Sequence, residues 1–207
     1  MSDNLSTNIV RERLLLHKMW LNCVHQGSPA CFYGESLRGM DFRYEDLRKI
    51  DFRYANLAEA SFTKADLRGA CFHLANLWNA DFAYAIIDET TKGLPPIACP
   101  EVGGFTAFKK VLYGSRSYVA ELYIPADAQR SSATTRKCRS SKAKVVKFWN
   151  LDRTEACIPE AHSLRELNFK YKKGEYVYPW CSFDENRWRE CASGIHFFMT
   201  FNEARDY

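Results

Sequence analysis

The chain has 207 residues and a formal net charge of +4; 46% of it is hydrophobic and 26% charged. That length fits one or two domains, and that composition excludes a globally disordered or collagen-like chain. No apolar run approaches the roughly 18 residues of a membrane span, so no membrane association is expected.

The opening residues, Met1-Ser2-Asp3-Asn4, carry no basic stretch followed by an apolar run. A cytoplasmic, reducing location is therefore expected, with the eight cysteines mostly free thiols. They show no C-x-x-C spacing and no zinc-ligand histidine pair, so neither a metal nor a cofactor is expected. Residues 1–29 read as a capping segment. Over 7–26, Ile9, Val10, Leu14, Leu15, Met19, Trp20 and Val24 fall at helical spacing, with Gly27 as a stop.

From Ala30 to Glu89 a five-residue period runs without a slip. Its centre reads Phe32, Leu37, Phe42, Leu47, Phe52, Leu57, Phe62, Leu67, Phe72, Leu77, Phe82 and Ile87. Ala stands two residues before the centre in eight of the twelve units, and Asp, Asn or Ser one residue before it in nine. A period of five fits neither a helix nor a flat strand. It fits a solenoid that turns a corner every five residues, with the Ala and the centre residue pointing inward.

Units such as Ala55-Asn56-Leu57, Ala65-Asp66-Leu67 and Ala75-Asn76-Leu77 resemble the pentapeptide-repeat family, A-(D/N)-L-x-x. The resemblance implies a right-handed quadrilateral β-helix, a β-solenoid of about three coils with four pentapeptides to each. Positions twenty apart then stack. Phe32, Phe52 and Phe72 form one ladder, and Phe42, Phe62 and Phe82 another opposite it. In the first coil Glu35, Met40, Glu45 and Ile50 replace Ala, and an inward Glu needs a partner or an open end. The N-terminal helix is expected to cover that end, with Arg11, Arg13 or His17 pairing with Glu35 or Glu45.

The outward positions offer a partner-binding set: Tyr33, Arg53, Tyr54 and His73 on one face, and Trp78 on the next. Aromatics beside Arg match interface hot-spot chemistry. The plainer reading has Trp78 and Leu74 covered by the second module and the Arg/Asp mixture as a solvated face.

Residues 90–104, with three prolines and three glycines, read as a linker to an α+β domain over 105–207. Strand-like runs lie at 105–112, 118–124, 143–149, 169–178 and 195–200. Short helices are expected at 126–130, within 158–167 and at 202–207. The segment 126–147 carries seven basic side chains and one acidic one. Arg130, Arg136, Lys137, Arg139, Lys142 and Lys144 form a candidate patch for phosphate, nucleic acid or an acidic partner, against a solvated edge as the alternative. Cys138, among these cations, reads as the likeliest reactive thiol.

Taken in order, His17-Lys18-Met19-Trp20-Leu21, the repeats, Gly104-Phe105-Thr106-Ala107-Phe108 and Cys191-Ala192-Ser193-Gly194-Ile195-His196 resemble phage and prophage pentapeptide-repeat proteins with a C-terminal domain of unknown function. The resemblance implies action in a bacterial host cell. Gly194-Ile195-His196-Phe197-Phe198 is also distantly similar to a strand of ADP-ribosyltransferase folds, without that family's acidic motif. Three readings follow. The first is a non-enzymatic binding protein that occupies a bacterial host protein, or a nucleic-acid-processing or defence complex. The second is a nucleic-acid or nucleotide-binding module in the C-terminal domain, around 130–147 or His196. The third, DNA mimicry by the solenoid, fits a longer and more acidic rod than a segment of net −3. The sequence leaves a homodimer open.

Overall fold

The computed structural model describes residues 5–207; Met1-Ser2-Asp3-Asn4, read above for a leader, lies outside them. The chain divides into two compact units between Pro96 and Ile97.

In the first unit, helix α1 (Thr7–Leu21) starts at Ser6, whose hydroxyl accepts from Ile9 N. It ends five residues before the expected Gln26, because the Asn22 side chain donates to Lys18 O at 2.8 Å. Gly27 serves a close return of the chain and does not stop the helix: a Cβ there would lie 2.2 Å from Trp20 N. Only Val10 and His17 of α1 are fully buried, while Ile9 and Leu15 stay exposed.

The helix binds the first coil through polar groups. Arg13 pairs with Glu35 at 3.3 Å and also donates to Cys31 O. His17 does not reach a glutamate. Its Nδ1 accepts from Ala30 N at 3.0 Å, so Nε2 carries the proton and donates to Arg48 O at 3.0 Å. Burial lowers its pKa, in keeping with a neutral ring. Glu45 is exposed, which removes the need for a partner.

Residues 31–92 form a β-helix-like stack. Among the described residues, eight parallel bridges join positions twenty apart, from Cys31–Asp51 to Asp66–Ile86, and Cys71 pairs with Lys92. Both phenylalanine ladders are present. Rings twenty apart stack at 4.9–5.6 Å, close to one strand spacing. The ladders meet edge to face, as in Phe62–Phe72 at 85°. Every fifth residue from Gly34 to Tyr84 has φ between 56° and 73°, and eight of these eleven are not glycine. Each such left-handed corner costs on the order of 1 kcal/mol, so the stacked core must offset it.

The second unit holds β1 (Phe105–Tyr113), β2 (Arg116–Ile124), β3 (Arg130–Ser132), β4 (Cys138–Ser140) and β5 (Ala143–Trp149). These are followed by β6 (Glu155–Ala156), β7 (Glu160–Ser163), β8 (Lys170–Lys172), β9 (Tyr176–Val177), β10 (Ile195–Phe197) and α2 (Phe201–Asp206). A curled antiparallel sheet, a half-barrel, runs β6-β5-β2-β1-β7-β8 with β9 on β5. A smaller sheet runs β10-β4-β3. The hydrophobic core includes Val111, Leu122, Val145, Phe148, Tyr171 and Phe197.

Three expectations are corrected here. Residues 126–130 form a turn into β3, not a helix, because the chain is fixed there by its own Arg130. The helix expected within 158–167 is strand β7, paired with both β1 and β8. The single strand expected over 169–178 breaks at Gly174, whose φ of 87° turns the chain from β8 to β9. In the segment read as a linker, Lys92 belongs to the stack and Cys99 to the second unit's core.

The ladders set the first prediction. Phe62→Ala empties the stack where both ladders touch, and is expected to cost about 3–5 kcal/mol in chemical denaturation. Leu74→Gly, which relieves an exposed left-handed corner, leaves stability equal or higher.

Candidate functional site

On the repeat unit, Tyr33, Tyr54 and Arg53 come together. The two rings lie 5.1 Å apart, and the Arg53 guanidinium sits 5.5 Å from the Tyr33 ring. Both tyrosines are about half exposed. His73 stands one rung further on, its carbonyl accepting from Tyr54 N. Trp78 is one pentapeptide further along the chain. Trp78 and Leu74 are exposed at 57% and 64%.

The Arg/Asp mixture has a specific geometry. In Asp41/Arg43, Asp46/Arg48, Asp51/Arg53 and Asp66/Arg68, each Arg grips the Asp two residues earlier through Nε and Nη2. The Arg43 hydrogen bonds hold Asp41 at about 2, and the other three carboxyls are lowered for the same reason. These arginines therefore present little free charge.

The structure does not assemble the six basic residues of 130–144 into one surface. Arg130 is consumed by carbonyls: it donates to Ala128, Pro125, Ala126, Pro100 and Gly103, and its guanidinium stacks over Phe105 at 5.3 Å. Arg139 is completely buried. It donates to Asp184 O and Ser193 O at 2.9 Å and Asn186 O at 2.8 Å, over the Phe183 ring. Arg136 pairs with Glu203, and Lys142 with Asp127. Lys144 is exposed near Tyr176, and Lys137 points into a cleft. Cys138 is likewise corrected: it is buried, and a hydrogen bond with Cys99 together with burial pushes its thiol up, away from reactivity.

That cleft, of about 870 Å³, is the site that spacing alone did not reveal beyond His196. Lys109 and Lys110 enter from β1, Tyr171 from β8 and His196 from β10, with Trp180 and Cys191 on the 179–194 wall. Arg139 holds that wall through the three carbonyls named above. Lys137 Nζ donates to Cys191 Sγ at 3.3 Å and lies 3.8 Å from Glu190 Oε2. His196 Nε2 lies 3.1 Å from Glu190 O; a carbonyl only accepts, so Nε2 carries the proton and Nδ1 is left as an acceptor. Burial, then the Lys109 and Lys137 ammonium groups, push His196 down to about 4. Burial, then Lys137 and Arg165, push Lys109 down to about 8. Burial raises the Tyr171 hydroxyl.

Comparison with known proteins agrees with both units. Pentapeptide repeats match over residues 30–69, 41–79 and 60–90, which places the first unit in that class of β-helix-like repeats. Residues 95–204 match a family of unknown function (DUF5758), and the chain belongs to that family. No curated protein matches significantly.

Two predictions follow from this geometry. Arg139→Ala removes the one side chain that ties three carbonyls of the 179–194 wall together and is expected to loosen that wall, seen as lost amide protection, whereas Arg136→Ala stays within about 0.5 kcal/mol of wild type. Because His196 is lowered on folding, the unfolded chain binds more protons between about 4 and 6.5. Its contribution to stability is thus present above pH 6.5 and lost toward pH 4. The ring resonances of His196 should titrate near 4, and Lys137→Gln should move that midpoint upward.

Proposed function

We propose that this chain is a non-enzymatic binding protein whose repeat unit docks a bacterial host protein, as a phage-type inhibitor acting in the host cytoplasm. In this reading residues 30–89 follow a right-handed quadrilateral course of about three coils, and the stacked core keeps the surface rigid. The observation that carries it is the exposed Tyr33–Tyr54 pair, 5.1 Å apart, with Arg53 beside it. Tyr and Arg are the residue types that dominate interface hot spots. Asp51 already fixes Arg53, so little side-chain freedom is lost on binding. Tyr44, Tyr84 and Trp78 add exposed aromatic area close to corners whose backbone is set. The internal Asp–Arg pairing supports a protein partner over a nucleic acid and also weighs against DNA mimicry, since both of those need unbalanced charge.

A tagged pull-down from bacterial lysate, with and without nuclease and read by mass spectrometry, tests the reading. One stoichiometric protein partner is expected to survive nuclease, to be lost with the Tyr33→Ala/Tyr54→Ala double variant, and to be retained with Lys144→Glu. Recovery of nucleic acid alone, or a partner indifferent to both tyrosines, overturns it.

A further inference from the structure

We propose that the cleft around His196 in the C-terminal unit binds a nucleoside phosphate. This inference does not depend on the docking surface of the repeat unit.

Charge comes first. Lys109, Lys110, Lys137 and Arg165 line the cleft against a single lining carboxylate, Glu166. Lys137 reaches Glu190 only at 3.8 Å. Arg165 donates to the Tyr207 hydroxyl at 3.2 Å, a neutral partner. Lys109 makes no ion pair among the described residues, and its Nζ lies 5.8 Å from the centre of the Tyr171 ring. Four cations beside so few carboxylates leave an excess of positive charge in the cleft; burial depresses Lys109, and the charges of Lys137 and Arg165 add to it. A ligand with two or more negative charges completes the arrangement, as a phosphate or diphosphate does.

Shape and rings come second. Trp180 stands 66% exposed at the cleft, 5.8 Å from Phe169, which packs on Tyr171 at 5.2 Å. An exposed indole backed by two further rings offers a π face on which a flat heterocycle can stack. The volume lies within the range of small-molecule sites, far above what an inorganic anion fills. A purely apolar ligand would leave the lysines bare. His196 Nδ1 supplies an acceptor for a ribose hydroxyl or a base amino group.

Isothermal titration calorimetry of the full chain with ADP, GDP, CDP and UDP decides the matter, with the four free nucleosides and inorganic pyrophosphate as controls. At least one diphosphate is expected to bind with Kd below about 200 µM, and its nucleoside and pyrophosphate each at least about tenfold more weakly. Trp180→Ala and Lys110→Ala alter exposed or half-exposed side chains, so the fold is expected to persist, checked by circular dichroism. Each should weaken binding about tenfold. Four outcomes overturn the proposal: no diphosphate binding at that level, pyrophosphate binding as tightly as the diphosphate, binding unchanged in both folded variants, or binding confined to oligonucleotides.

Discussion

Phenylalanine rings stacked about 5 Å apart hold the repeat unit to a coil of twenty residues. Phe alternates with Leu or Ile along the chain, so a slip of one pentapeptide would set Phe over Leu or Ile and break both ladders. The edge-to-face contacts between ladders leave no room for such a shift. This packing also explains how eight non-glycine residues are held at positive φ. Each left-handed corner is unfavourable alone, at a cost of about 1 kcal/mol, while a fully buried Phe contributes roughly 1.5–3 kcal/mol. The corners in turn aim the exposed residues, so the surface inherits its geometry from the core.

The C-terminal unit solves a different problem. Outside β1, β2 and β5 its strands are short, and long stretches between them carry backbone carbonyls that need donors. Arginine supplies up to five donors in a rigid fork, and here Arg130 and Arg139 are spent on carbonyls, not on a partner. A basic sequence thus yields a surface much less basic than its composition. Burying the Arg139 charge is costly, and the three carbonyls together with the Phe183 ring offset that cost.

The repeat unit was legible because its period, its inward residues and its ladders all express one constraint that acts locally along the chain. The same pattern marked Glu35 and Glu45 as departures with Arg11, Arg13 or His17 as candidate partners; of these Arg13 pairs with Glu35, while Glu45 lies exposed. The C-terminal unit was legible only in part. Strand β5 stood out by its run of Val and aromatic residues, and α2 by its end position, whereas β7 was hidden because Pro159, Glu160 and Ala161 favour no strand on their own. Non-local pairing with β1 and β8 decides it. The six basic residues misled for the same reason: a string of charges shows how many cations exist, not which carbonyls lie across the fold from them.

That distinction sorts the cations of this chain. Where a row of carbonyls lies within reach, as for Arg139, the charge is structural and its removal would disturb the fold, while an exposed pair such as Arg53–Asp51 only fixes the direction of its side chains. Lys109 and Lys110 differ, for they line a cleft beside Lys137 and Arg165 with one lining carboxylate among them. Placing ammonium groups together in a half-buried cleft destabilises the protein without ligand. The wall whose Cys191 and Glu190 contact Lys137 is itself held by a completely buried arginine, so the arrangement is built into the fold. A fold that maintains such an excess of positive charge beside exposed rings is organised for an anion that arrives from outside.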